Sequence, residues 1–279
     1  MIKPKKLNFT TAGIPVRTKG NVFQGLKDIK LMNLDGMELE FVHGVRTKPD
    51  KAQEIGKVAN EYDLVLTAHG PYYINLNAKE PEKIEASVNR IFQTAKITSL
   101  AKGYSITFHA AYYMKQSPTE VYKRVKQGLN EVIEKMKQYG FKIWIRPELT
   151  GKATQFGDID ELIKLSQELD YVLPCIDFAH FYARYVGQYN SKDAFRELIF
   201  DKIENELGTE ALKNFHAHVS GIVYGQKGEK NHEPLNQTKF NWKAVIELLK
   251  EFDVKGVIVS ESPNIEDDAL LMKKYYLSL

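Results

Sequence analysis

Seven histidines are spread along this 279-residue chain, and six of them close strand-like runs. His69 ends LVLTAHG, His109 ends YSITFHA, and His180 follows CIDFA; His216 and His218 lie in NFHAHVSG, and His232 lies in KNHEPL. Three carboxylates hold comparable places: Glu148 in IWIRPEL, Asp177 in CIDFAH and Glu261 in GVIVSES. Imidazole nitrogens and carboxylate oxygens are ligands of zinc, manganese and iron(II). A single strand-end histidine is usually a packing or capping residue. So many at one kind of position point to a convergent metal centre. The set exceeds the four ligands of a tetrahedral ion, so it implies two or three ions. Ions about 3.5–4 Å apart activate water and clamp the attacking and leaving oxygens of a phosphodiester.

Two local spacings sharpen this. Asp177 and His180 stand three apart across a turn that follows a strand, so both can face one side. Glu229 and His232 stand three apart in GEKNH, read as a loop, a spacing that can chelate one ion. His43, in FVHGV, is read as a surface or rim residue. The one cysteine, Cys175, lies between Leu173 and Ile176 and reads as a buried strand thiol. It excludes an intrachain disulfide and leaves nitrogen and oxygen as the expected metal donors.

The elements that must position these residues alternate from end to end. Strand-like runs are KLNFTTAG, GMELEFVHG, DLVLTAHG, YSITFHA, FKIWIRPEL, YVLPCIDFAH, NFHAHVSG and GVIVSESP. Helical periodicity covers Lys51 to Tyr62, Lys83 to Ala101, Pro118 to Tyr139, Ile159 to Leu169, Phe195 to Asn205 and Trp242 to Phe252. Pro118 and Thr119 fit a helix start and Gly140 a helix stop. With no linker or low-complexity stretch, the pattern predicts one α/β domain over residues 1–279, a closed TIM (β/α)8 barrel. The rival is a doubly wound open sheet. No GxGxxG or GxxxxGK[ST] opens a helix, so no nucleotide cofactor is expected. In a barrel, the C-terminal strand ends form the active face, and the six histidines and three carboxylates first named all fall there except His232, which follows in a loop.

Composition sets wide bounds. A hydrophobic share of 43% and a charged share of 27% place the chain among ordinary globular proteins. No apolar run approaches the roughly 20 residues of a membrane helix, and the basic N-terminus has no apolar signal region. A cytoplasmic protein without a membrane partner is expected. The net charge of +3 excludes no partner and is compatible with a phosphate-bearing one.

HGPYYINL, FHAAY, PELTGK, CIDFAHFYARYVG, HVSGIVYG with the following GEKNH, and SESP occur in this order between residues 69 and 263. In sequence and spacing they resemble the endonuclease IV family, metal-dependent apurinic/apyrimidinic endonucleases on a xylose-isomerase-like TIM barrel. The resemblance implies hydrolysis of the phosphodiester 5′ to abasic sites in duplex DNA, at a trinuclear, typically zinc, site; manganese or iron is an option at one position. It implies that His69, His109 and a bridging Glu148 hold the first ion. Glu148, Asp177, a histidine of the seventh strand and Glu261 would hold the second, and His180, Glu229 and His232 the third. Glu148 would also orient or activate the attacking water. Tyr72 matches a position in a loop that enters the minor groove, which Asn75 shapes, and Lys152 and Arg184 on the rim would meet phosphates.

This chain departs from the family pattern in three places. His216 and His218 both offer themselves on the seventh strand; His218 is favoured because H-x-S-G resembles the family's H-x-N-D turn, with His216 the alternative. Where the family has Asp-x-His, this chain has Glu229-Lys-Asn-His232, with Lys230 in strict register with the aspartate. The first strand reads NFTTAGIP in place of a histidine-containing version. An alternative function stays open: a single-metal sugar isomerase or epimerase of related barrels needs only Glu148, Asp177, one seventh-strand histidine and Glu261. A non-catalytic DNA- or metal-binding barrel is a third reading.

Overall fold

The computed structural model describes residues 3–279. Among these residues ten strands follow one another: β1 (Leu7–Ala12), β2 (Gly36–Glu40), β3 (Val65–His69), β4 (Ser105–Phe108), β5 (Trp144–Pro147), β6 (Ile176–Asp177), β7 (Phe215–Val219), β8 (Gly221–Gly225), β9 (Gly228–Glu233) and β10 (Gly256–Ser260). Eight of them form one parallel sheet in the order β5-β4-β3-β2-β1-β10-β7-β6. The sheet closes on itself between β5 and the chain leading into β6. Ile145 N–H donates to Tyr171 O at 2.9 Å, and Cys175 N–H to Pro147 O at 3.0 Å. The expected TIM barrel is therefore the observed one.

Helices cover the outside: α1 (Val22–Leu31), α2 (Pro49–Glu61), α3 (Pro81–Leu100), α4 (Pro118–Gln138), α5 (Ile159–Glu168), α6 (Phe178–Arg184), α7 (Lys192–Phe195), α8 (Lys202–Leu207), α9 (Thr209–Leu212), α10 (Trp242–Glu251) and α11 (Glu266–Ser278). The α4 start is as predicted. Ser117 and Glu120 form a reciprocal capping box around Pro118, and Gly140, just past the end, takes the left-handed conformation (φ +70°) that closes a helix.

Along each barrel strand, residues alternate between the helix layer and the interior. Met37, Leu66, Ile106, Ile145, Phe215 and Ile258 are buried against the helices. The opposite parity points inward; β10 carries Val257 and Val259 there, but the other strands bring polar residues, Thr10, Glu38, Thr67, Ser105, Arg146 and His216, all 1% exposed or less. Barrel interiors are ordinarily filled by Val, Ile and Leu. A polar interior has to satisfy its own groups or hold something that does.

Four local expectations are corrected. The sixth strand, read as YVLPCIDFAH, has only Ile176–Asp177 in regular pairing, because Pro174 has no N–H to give; Val172 and Cys175 make isolated bridges to β5 and the residue just beyond it. GEKNH is strand rather than loop, since β9 pairs antiparallel with β8. Residues 195–205 are not a regular α-helix: α7 runs through a π-helical turn, Arg196–Asp201, into α8. Residues after Asp177 enter α6 directly. Among the described residues no helix is long and apolar enough to cross a membrane.

Candidate metal centre

The period of two delivers the site. Glu38 and Glu40 on β2, Thr67 and His69 on β3, and His216 and His218 on β7 share the inward face of their strands, in register with neighbours of the same parity. Glu148 lies two positions beyond Arg146, His109 two beyond Thr107, and Glu261 two beyond Val259, so each falls at the mouth where its strand ends. Asp177 ends β6 and caps α6, its Oδ1 accepting from His180 N at 2.6 Å. That cap turns the His180 ring back over the mouth.

Glu148 is the hub. Its Oε2 lies 3.3 Å from His69 Nε2 and 3.7 Å from His218 Nδ1; its Oε1 lies 3.1 Å from His109 Nε2 and 3.0 Å from His180 Nδ1. His218 Nδ1 is also 3.1 Å from Glu261 Oε1. Four groups each bring ligand atoms within 4.8 Å of one another: His69, His109 and Glu148; Glu148, Asp177, His218 and Glu261; Asp177, His180 and His232; and Cys175, His216 and His218. Ligands held about 2 Å from a tetrahedral ion lie roughly 3.3 Å apart, so these separations suit side chains that share an ion.

Unmade hydrogen bonds give the test of fit. Asp177 Oδ2 and His218 Nδ1 are fully buried and find no hydrogen-bond partner. Burying such groups unpaired costs about 1–3 kcal/mol each, and a divalent ion bound between them removes that cost. The titrations agree. Burial disfavours the charged forms of His69 and His180, yet Glu148 for the first, and Asp177 with Glu148 for the second, outweigh it and raise both to about 10. Burial would likewise raise Glu148, but the charges of His109 and His218 hold it well below the usual carboxylate range. For Asp177 burial wins over the charge of His180 and pushes it up to about 7. Metal-free, the centre thus holds protons where an ion would sit. The nitrogen and oxygen donors fit zinc, manganese or iron(II).

A match to the model of xylose isomerase-like TIM barrels spans residues 26–275. The chain belongs to this family. It is 44% identical over 98% of both chains to an uncharacterized protein of Methanocaldococcus jannaschii. It is 24% identical to a probable endonuclease 4 of Mycoplasma pneumoniae, over 71% of this chain and 68% of the other. Two solved structures superpose with the same TM-score of 0.73: a D-tagatose 3-epimerase-like protein (20% identity, 97% of both chains) and endonuclease IV from Thermus thermophilus (17% identity, 98% of both chains). At these identities the structures speak for the fold.

Within this xylose isomerase-like barrel, the sequence-derived candidates His69, His109, Glu148, Asp177, His180, His218, His232 and Glu261 converge. Glu229 stands at their edge, its Oε2 3.7 Å from His180 Nε2, while Lys230, its neighbour on β9, is exposed. Gly151 makes this approach possible: a Cβ there would lie 2.7 Å from Glu229 Cβ and 3.0 Å from the His180 ring. His216 sits one layer deeper, with Nε2 on Glu38 and Nδ1 on Ser105; burial lowers it to about 4. Cys175 is buried beside it, and burial pushes its thiol up to about 12.

Tyr72 and Tyr73 are about 60% exposed, and the Tyr72 ring stands edge-on to His69, 5.8 Å between centroids. Asn75 Oδ1 accepts from Asn77 N at 3.0 Å, which shapes the loop that displays them. A recess of ≈ 360 Å³ lined by Glu40, Tyr72, His232 and Glu261 opens beside the centre. Arg184 is not free for a phosphate: its Nη1 donates to Thr150 O, Lys152 O and Gln155 O, and it is tied to Asp158. Glu38 and Glu40 were missed from the sequence. Their signal was in GMELE, where two glutamates share the face of a strand flanked by two others.

Proposed function

We propose that the protein is a metal-dependent endonuclease that hydrolyses the phosphodiester 5′ to abasic sites in duplex DNA, with two or three divalent ions. Zinc is the first candidate, with manganese or iron(II) an option at one position. One observation carries the reading: ligand side chains continue well beyond the quartet Glu148, Asp177, His218 and Glu261. His69 and His109 extend it on one side, His180, His232 and Glu229 on the other. The quartet alone serves one ion, and the remaining five have no task in a one-ion centre. The similarity to relatives named probable endonuclease 4 supports the same reading.

In this reading His69, His109 and Glu148 hold one ion, the quartet a second, and His180, His232 and Glu229 a third beside Asp177. Bound ions supply Lewis acidity toward phosphate oxygens and lower the pKa of water. Glu148, with an oxygen toward each side of the centre, orients the water that attacks phosphorus. His109, partly exposed, and His232 stand at the open side, where the scissile phosphate arrives. Tyr72 and Tyr73 project from the rim beside His69 and meet the minor groove. An abasic nucleotide enters the mouth at low cost, because no base has to be unstacked.

The direct test is a duplex carrying one tetrahydrofuran abasic analogue, incubated with zinc-loaded protein with and without a chelator. Incision on the 5′ side leaving a 3′-hydroxyl, lost with the chelator, is expected; an intact duplex removes the proposal. A second reading, a one-ion sugar isomerase or epimerase, is favoured by the completeness of the quartet. It requires one ion per chain by elemental analysis and epimerisation of a ketohexose in place of incision.

A further inference from the structure

Below the quartet lies a second, fully buried arrangement. Glu38 reaches across the barrel from β2 to β7. Its Oε2 lies 3.1 Å from His216 Nε2 and its Oε1 3.0 Å from His218 Nε2, and Thr67 Oγ1 donates to Oε2 at 2.7 Å. Ser105 Oγ lies 2.9 Å from His216 Nδ1. Glu38, Ser105, His216 and His218 are 0% exposed.

We infer that Glu38 is a positioning residue: its carboxylate clamps the Nε2 edges of His216 and His218 and so keeps the Nδ1 lone pair of His218 aimed at Glu148, Asp177 and Glu261. The proton assignment follows from the acceptors. A carboxylate oxygen has nothing to donate, so a lone pair on His218 Nε2 facing Glu38 Oε1 at 3.0 Å would set two acceptors against each other. Nε2 therefore carries the proton, and Nδ1 is the nitrogen left for an ion. His216 completes the clamp in the same sense: Ser105 donates to Nδ1, and Nε2–H faces Glu38. A carboxylate behind a ligating imidazole fixes its tautomer and raises its basicity, and losing such a partner typically costs about 10–100-fold in metal affinity.

The inference rests on the quartet binding metal. It does not depend on whether the substrate is DNA or a sugar, because both readings use the quartet. The Nε2 contacts are short, yet Glu38 Oε1 and both Nε2 atoms make no hydrogen bond as the rings stand, so the clamp acts through charge and close approach. That leaves one competitor, an ion held by Glu38 and His216 themselves with Cys175 nearby, and the same experiment separates it.

Zinc uptake by metal-free protein is measured by competition with a chromophoric chelator for the wild type, Glu38→Gln and His216→Gln. The expected result is about 10–100-fold weaker binding of one ion in Glu38→Gln, with the same number of ions at saturation in all three proteins. Equal affinity in Glu38→Gln overturns the clamp while leaving the metal centre intact. Loss of one ion in His216→Gln overturns it too, making His216 a ligand. A wild type that takes up no zinc removes the metal centre and the clamp together. Should Glu38→Gln fail to fold, ring nitrogen-15 spectra of the zinc-loaded wild type decide: His218 protonated at Nε2 is expected, and protonation at Nδ1 overturns the inference.

Discussion

The barrel interior buries polar groups at both ends and treats them in opposite ways. At the bottom, Arg146 is fully enclosed, yet its Nη1 donates to Pro174 O and its Nη2 to Tyr104 OH, Asn214 O and Asn214 Oδ1, all at 2.8–3.1 Å. The Tyr104 ring also lies under the guanidinium, 5.1 Å from centroid to Cζ. At the mouth, only two residues along from Arg146, Glu148 is surrounded by four imidazoles, and Asp177 Oδ2 and His218 Nδ1 are left without hydrogen-bond partners. Both ends lie on the same strands and are equally dry. At the bottom both terminal nitrogens of the guanidinium are paired and only Nε lacks a partner; at the mouth the unpaired atoms belong to an acid and an imidazole that face one another, as ligands of an ion would. Burial of charge marks both ends, and the presence or absence of partners tells the structural one from the functional one.

Substitution at each end sharpens that contrast. Glu148→Gln is expected to cut incision of abasic-site duplex by at least about 10²–10³-fold and to lower the metal content. Arg146→Met should do the reverse. It strands buried acceptors at about 1–3 kcal/mol each, which lowers the midpoint by about 2–4 °C per kcal/mol in a chain of this size. The metal content of Arg146→Met, by elemental analysis, should equal that of the wild type. An Arg146 variant that loses ions, or a Glu148 variant that unfolds, erases the distinction.

Metal removal tests the mouth by itself. An ion held at about 100 times its dissociation constant stabilises the fold by about 2.7 kcal/mol, so calorimetry should show the midpoint rising on zinc addition. The rise should persist in Arg146→Met and shrink in Glu148→Gln. Equal rises in all three proteins would place the ions elsewhere.

The same contrast explains what the amino-acid order could reveal. The mouth was legible because its ligands are histidines and carboxylates ending apolar runs, a pattern that neither packing nor solvent exposure produces. Glu38 and Glu40 went unread because glutamate in a strand ordinarily means a solvated face; the closed barrel buries Glu38 and sets Glu40, still exposed, at the mouth. The choice between His216 and His218 depends on depth along one strand face, which the period of two leaves open. Helix α1 was hidden by Gly25, which lets Ile14 pack onto it. Helix α11 was hidden by buried acids in its first turn: Glu266 accepts from Val16 and Arg17 N–H, and Asp268 from Leu235 N–H. Those contacts place charge where an apolar stripe would be. Arg184 looked like a phosphate ligand because nothing local shows that the loop it ties, residues 150–158, folds back onto it.

Acidity should distinguish the ends as well. His69 and His180, raised to about 10 without an ion, are protonated throughout the neutral range, and Asp177 at about 7 is partly so. An ion can bind only as these protons leave. Zinc affinity should therefore climb as pH rises from about 6 to 9, and calorimetry in buffers of different ionisation enthalpy should register proton release. Arg146 at the bottom stays charged over that range, so Arg146→Met should leave the slope unchanged. A flat affinity across the same range contradicts the proton-filled mouth.

The smallest effect is expected at Gly151, where the centre meets β9. A methyl group there must push Glu229 away from His180. Such overpacking costs about 1–3 kcal/mol, part of which the Glu229 side chain relieves by swinging outward. Gly151→Ala should thus weaken zinc only at the His180, His232 and Glu229 corner, leaving the tighter ions in place. Titration of the variant should give one weakened ion against an unchanged remainder. Uniform weakening of all ions would instead mean that the corner and the quartet behave as one unit, with His180, shared through Asp177 and Glu148, as the link between them.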